Sequence, residues 1–120
     1  MWASAYFRYE EFDSPDEPGS GIHMDAAFIG ALERVRERCA FPFVINSGYR
    51  TPSHNALVGG KKNSAHLKGF AADISITDCV RRFDIVKAAL SIGFMRLEIG
   101  ATWVHLDIDA SLDQGVLVLP

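Results

Sequence analysis

The sequence predicts a small α+β domain with a central, mostly antiparallel sheet and two main helices. An amphipathic helical stripe begins at Met24, and a second helical stretch lies between Thr77 and Gly93. Short β-branched or alternating runs surround them without the strict strand–helix–strand rhythm of a parallel sheet. With 120 residues, 48% apolar and 22% charged, the chain suits one domain with a packed core. A formal charge of -3 argues against a basic nucleic-acid footprint. No apolar run approaches the roughly 18–20 residues of a membrane span. Aromatics interleaved with Arg8, Glu10 and Glu11 do not make a signal or transit peptide, so synthesis in the cytoplasm without a leader is expected. Two cysteines cannot build a disulfide scaffold.

Residues 1–23 read as an arm and a loop. Tyr6, Phe7, Tyr9 and Phe12 are expected to pack on the body, and the Pro/Gly-rich stretch from Asp13 to Gly21 to run over the surface. Met24, Phe28, Ala31, Leu32, Val35 and Cys39 then follow steps of three and four, with charged residues opposite and Pro42 as the stop. Phe43–Asn46 reads as a buried strand. Thr51-Pro52-Ser53 can open a short helix that ends at Gly59-Gly60, and Lys61 to Lys68 reads as loop. Ala71–Ile76 reads as a second strand. Thr77 or Asp78 caps the next helix, with Val80, Phe83, Val86, Ala89 and Leu90 as its inner face and Gly93 as its stop. Phe94–Ile99 and Thr102–Ile108 form two more strands about a Gly100-Ala101 turn, and Val116–Leu119 forms the last. Cys39 and Cys79 are expected as buried thiols.

Alternation on the strands isolates a cluster. Ala72, Ile74 and Ile76 share one face, which leaves Asp73 on the other. Val104, Leu106 and Ile108 share a face, which leaves Trp103, His105, Asp107 and Asp109 opposite. A carboxylate in a strand that looks buried is costly unless paired or bound to a cation. His66, in the loop before Asp73, can return toward that strand through Gly69. Two imidazoles and one carboxylate with an open position suit catalytic zinc, and iron is the competing metal. The bland alternative places His66 on a surface loop and His105 toward solvent. His23 and His54 read as ordinary solvated or capping histidines.

The strings Ser47-Gly48-Tyr49-Arg50-Thr51-Pro52, His54-Asn55, Val58-Gly59-Gly60, Ser64-Ala65-His66-Leu67-Lys68-Gly69-Phe70-Ala71-Ala72-Asp73-Ile74 and Trp103-Val104-His105-Leu106-Asp107 supply the missing specificity. Together they resemble the zinc D-Ala-D-Ala carboxypeptidase-like peptidases, which belong with the lysostaphin-type peptidases and the hedgehog fold. The Glu11–Asp16 segment and the short length resemble the small bacteriophage-encoded versions. The resemblance implies one zinc peptidase domain over residues 1–120, with one Zn2+ on His66, Asp73 and His105. It implies that Arg50 stabilises a substrate carbonyl or carboxylate, and that Ser64 hydrogen-bonds substrate. The expected reaction is hydrolysis of a peptide bond in bacterial peptidoglycan, of DD-carboxypeptidase or endopeptidase type, with a zinc-activated water as nucleophile.

The chain departs from its relatives at the general base. Some of these carry an acid three residues before the third ligand and others a histidine two before it, where this chain has Thr102 and Trp103. Asp107, roughly 6.5–7 Å along the strand from His105, is the first substitute, and Glu98 on the neighbouring strand is the second. Asp107 can instead orient His105. A zinc-containing module that binds wall peptide without cleaving it, or a zinc-free structural domain, are the other readings. The expected partner is a stem or cross-link peptide, reached from the host cytoplasm after lysis or carried in a virion. Neither nucleic acid nor a membrane is expected as a partner, and the chain is expected to be a monomer.

Overall fold

In the computed structural model, which describes residues 1–120, five strands form one sheet in the order β1-β2-β4-β3-β5. Along the chain run α1 (Ala26–Arg38), β1 (Val44–Ser47), α2 (Pro52–Leu57), β2 (Ala71–Ser75), α3 (Cys79–Ile92), β3 (Arg96–Ile99), β4 (Trp103–Asp107) and β5 (Val116–Val118). Single 3-10 turns lie at Tyr9–Phe12, Ser20–His23 and Ala65–Lys68. The pairings β1–β2, β2–β4 and β3–β4 are antiparallel, and β5 joins β3 in parallel. The α+β architecture predicted from the pattern is therefore present, with a sheet that is antiparallel except at one edge. No helix is long and apolar enough to cross a membrane.

The helix ends follow local chemistry. Asp25 caps α1 by accepting from the Phe28 amide at 2.9 Å, and Arg36 and Arg38 occupy its last turn, where the helix dipole favours cations. Thr51 caps α2 ahead of Pro52, and Asp78 caps α3. Gly93 ends α3 in the left-handed region at φ 114, a conformation that favours glycine. The core lies between the helices and one face of the sheet. Phe28, Ile29, Leu32 and Val35 of α1 meet Ile85, Ala88 and Ala89 of α3 over Ala72, Ile74, Leu97, Val104 and Leu106. Most of the aromatic arm packs on the body: Phe7 and Phe12 are buried with Trp2, the Phe12 ring set edge-on to both, and Tyr9 is half-buried against them, whereas Tyr6 is exposed.

Several expectations need correction. The first strand is not buried as a whole: Phe43 is buried, but Val44 and Asn46 are exposed, because β1 lies at the edge of the sheet. The inner face of α3 is Ile85, Ala88 and Ala89, while Val80, Phe83 and Leu90 are exposed. Ile85 lies about 200° round the helix from Phe83, and small Ala88 and Ala89 let α3 approach its neighbours closely. Cys79 is exposed at the first residue of α3, whereas Cys39 is buried. The segment from Asp13 to Gly21 is not wholly superficial. Ser14, Ser20 and Gly21 are buried, because the Asp13 carboxylate accepts from the Gly19 and Gly21 amides and folds the loop inward. The histidine-bearing stretch 61–68 also contains a turn of 3-10 helix rather than loop alone.

Candidate metal centre

The face of the sheet turned away from the helices carries the polar cluster. Register sets Asp73 of β2 directly opposite His105 of β4, and Glu98 of β3 opposite His105 on its other side. Opposed residues share a face, so three ionisable side chains stand in one row across three strands. Beneath them Ala72, Ile74, Val104 and Leu106 are fully buried, which fixes the phase of both strands.

His66 enters from the 3-10 turn at Ala65–Lys68. Ser64 caps that turn by accepting from the His66 amide at 3.3 Å. Gly69 ends it at φ 73, where a Cβ would also stand 2.3 Å from the His23 carbonyl oxygen. The ring is buried, and its Nδ1 lies 2.7 Å from the Gly48 carbonyl oxygen. A carbonyl can only accept, so Nδ1 carries a proton and Nε2 is the nitrogen left to face a cation. That Nε2 lies 3.3 Å from Asp73 Oδ1.

His105 is arranged in the mirror sense. Its Nδ1 lies 2.7 Å from Asp73 Oδ1, and its Nε2 lies 2.7 Å from Asp107 Oδ2. When no cation sits between them, burial would lower the His105 imidazolium, but hydrogen bonds with Asp107 and Asp73, reinforced by their charges, lift it to about 9. Burial alone would raise Asp73, yet bonds with His105 and His66 and the charges of both rings hold it well below the usual carboxylate range. Side-chain nitrogens of His66 and His105 and an oxygen of Asp73 all lie within 4.8 Å of one another.

This donor set fits a metal ion. Each imidazole has its outer nitrogen held by an acceptor, Gly48 for one and Asp107 for the other, and its inner nitrogen turned toward Asp73. Outer acceptors of this kind fix the tautomer and ring orientation of metal-binding histidines. Two nitrogens and one carboxylate suit zinc with an open position. The cluster opens on a cleft of about 780 Å³, whose other lining residues include Arg50, Ser64, Arg96, Glu98 and Trp103.

Arg50 stands beside the cluster, with Nη2 3.6 Å from Asp73 Oδ2. Nε donates to Ser47 Oγ at 3.1 Å and Nη1 to Asn55 Oδ1 at 3.3 Å. Burial pushes the guanidinium down and the Asp73 charge draws it back up, and it stays cationic. Asp107 is 1% exposed and spends both oxygens: Oδ2 takes His105 Nε2 and Arg96 Nε (3.1 Å), while Oδ1 accepts from the Asp109 amide at 3.1 Å. Glu98, by contrast, lines the cleft with no hydrogen bond or ion pair to another side chain. His23 lies beside the Tyr49 ring at a tilt and His54 lies in α2, and neither joins the cluster.

Sequence reasoning did not single out Arg96 or Asn55. Strand alternation about buried Leu97 places Arg96 with Glu98 on the cleft face, a signal that was present. Asn55 carried none beyond its motif. A family model described as Peptidase M15 matches residues 5–107, most of the chain. No curated protein matches it.

Proposed function

The chain belongs to the peptidase M15 family, and from that premise we propose that it hydrolyses a peptide bond in bacterial peptidoglycan, with His66, Asp73 and His105 holding one zinc ion. Members of this family are zinc-dependent metallopeptidases. The observation that carries the site assignment is the pair of histidines whose outer nitrogens are tied to Gly48 and Asp107 while their inner nitrogens converge on Asp73. Bound zinc supplies an activated water and polarises the scissile carbonyl.

The protein's own groups supply the rest. Arg50 sits beside Asp73 at the cleft wall, where its fixed charge can bind a substrate carbonyl or carboxylate oxygen. Ser64 lines the same wall and adds a hydroxyl within reach of substrate. Asp107 orients His105 rather than accepting the proton of the attacking water, because both of its oxygens are engaged. Glu98 is the free carboxylate on the same face. It accepts that proton and returns it to the leaving amine.

The test is a digest of purified peptidoglycan with mass spectrometry of the fragments, run for the wild type and Asp73→Asn. Release of peptide fragments by the wild type alone supports the proposal, and their masses distinguish carboxypeptidase from endopeptidase cleavage. Stoichiometric zinc with no fragment released would overturn it in favour of a wall-peptide binding module.

A further inference from the structure

Residues 12–16 lie along the segment that carries Arg50. The Phe12 carbonyl accepts from the Tyr49 amide at 2.9 Å, and the Ser14 hydroxyl oxygen accepts from the Thr51 amide at 3.1 Å. Ser14 is fully buried, and its hydroxyl in turn donates to Asp16 Oδ1 at 2.5 Å. The other oxygen of Asp16 accepts from Thr51 Oγ1 at 2.6 Å and from Ser53 Oγ at 3.1 Å.

These bonds have a direction. With its proton committed to Asp16, Thr51 Oγ1 keeps lone pairs for the His54 amide at 3.1 Å, which is the capping bond of α2. That helix carries Asn55, whose Oδ1 accepts from Arg50 Nη1. Arg50 is thus held from two sides, through its peptide bond to Thr51 and through Asn55. Its own amide donates to the His66 carbonyl at 3.1 Å, which ties the same segment to the metal centre. Hydrogen bonds from Ser14 and Thr51, against a small opposing effect of burial and helped by Ser53, bring the Asp16 carboxyl down to about 2.

We propose that Asp16 is a positioning residue, a surface carboxylate that locks Ser14 and Thr51 so that Arg50 is presented to substrate in the cleft. The inference rests on the reading of Arg50 as a substrate-binding group. Asp16 touches no ligand of the metal centre and needs no contact with substrate to act. It also gives the Asp13 to Ser20 loop a task that its composition does not announce.

The test uses the zinc-loaded full chain and Asp16→Asn, which keeps the shape and replaces one acceptor oxygen by a donor. The expected result is a fall of about tenfold in kcat/KM on a stem peptide, carried mainly by KM, with zinc content unchanged. In an Arg50→Ala background the same substitution should change kcat/KM by less than about twofold, because no guanidinium remains to be placed. Equal losses in both backgrounds, or loss of zinc, would overturn the inference, since a merely structural role predicts additivity. Amide exchange supplies a readout that does not require turnover. Protection at the Thr51 and His54 amides should drop about tenfold in Asp16→Asn, and unchanged protection overturns the latch. A wild type without turnover therefore removes the proposed activity while leaving the latch tested. Should Asp16→Asn not fold, Ser53→Ala removes a single donor, and the same two amides should lose protection by a smaller factor or the inference fails.

Discussion

Stripped of metal, the protein should lose folding stability as pH rises from about 6.5 to 8.5. The perturbation is chelation, and the group responsible is His105, clamped between Asp73 and Asp107 at 2.7 Å from each. Its ordinary value is 6.5, and in the fold it is raised to about 9. A raised folded-state value means that the stabilisation is fully present below the unfolded value and is lost as pH climbs through the folded one. The shift corresponds to about 3 kcal/mol in full, of which about 2 kcal/mol disappears between pH 6.5 and 8.5. The depression of Asp73 is the other side of the same contact and is not added to this sum. Cys39, whose thiol burial pushes up, subtracts only above its ordinary 9.0 and stays outside the window. Urea unfolding of EDTA-treated protein at several pH values measures the slope, and a His105→Gln variant should flatten it. The zinc-loaded protein should slope the opposite way, because binding requires the ligand nitrogen to be free of its proton. Metal-free stability that stays level or rises across the window would refute the clamp.

Three further outcomes follow from the same geometry. Glu98→Gln should cut kcat by roughly 10²–10⁴-fold with zinc retained, whereas Asp107→Asn should weaken zinc binding by roughly 10–100-fold, read by competition with a chromophoric chelator; the reverse pattern would return the proton-accepting role to Asp107. Gly60→Ala would set a Cβ 2.1 Å from Asn55 Oδ1 and 3.1 Å from Arg50 Nη1, so breaking that bond should raise KM by about tenfold at unchanged zinc content, measured by steady-state kinetics and elemental analysis. Phe12→Ala removes a fully buried ring between Trp2 and Phe7 and should cost about 3–5 kcal/mol in urea unfolding, so a cost under about 1 kcal/mol would show that the N-terminal arm does not belong to the core.

The strand faces were legible because a period of two is a local property. Ala72 and Ile74, then Val104 and Leu106, fix which side Asp73 and His105 must occupy, and no distant contact is needed to see it. The phase of α3 was not legible for the opposite reason. Val80, Phe83, Ile85, Val86, Ala88, Ala89, Leu90 and Ile92 encircle the helix, so periodicity alone admits more than one buried stripe. The side is chosen by α1 and the sheet, against which Ile85, Ala88 and Ala89 are buried.

The role of Asp107 depends on a different kind of information. From its strand alone it is a carboxylate two residues beyond His105, free to serve as a base. What commits its oxygens is Arg96, from the neighbouring strand, together with the outer nitrogen of His105 and the Asp109 amide. Each partner is visible in the sequence, but their convergence exists only once β3 and β4 are paired. The same holds for Asp16, whose surroundings of Pro15, Glu17, Pro18 and Gly19 read as solvated loop until Thr51 and Ser53 are brought beside it. The convergence of His66, Asp73 and His105 could therefore be expected from strand pattern and motif together, whereas the partners of each carboxylate could not. A carboxylate's task is set by how many of its lone pairs the fold has already claimed. By that measure Glu98, with no lone pair claimed by another side chain and a place opposite His105, is the carboxylate to which the proposed mechanism gives the proton.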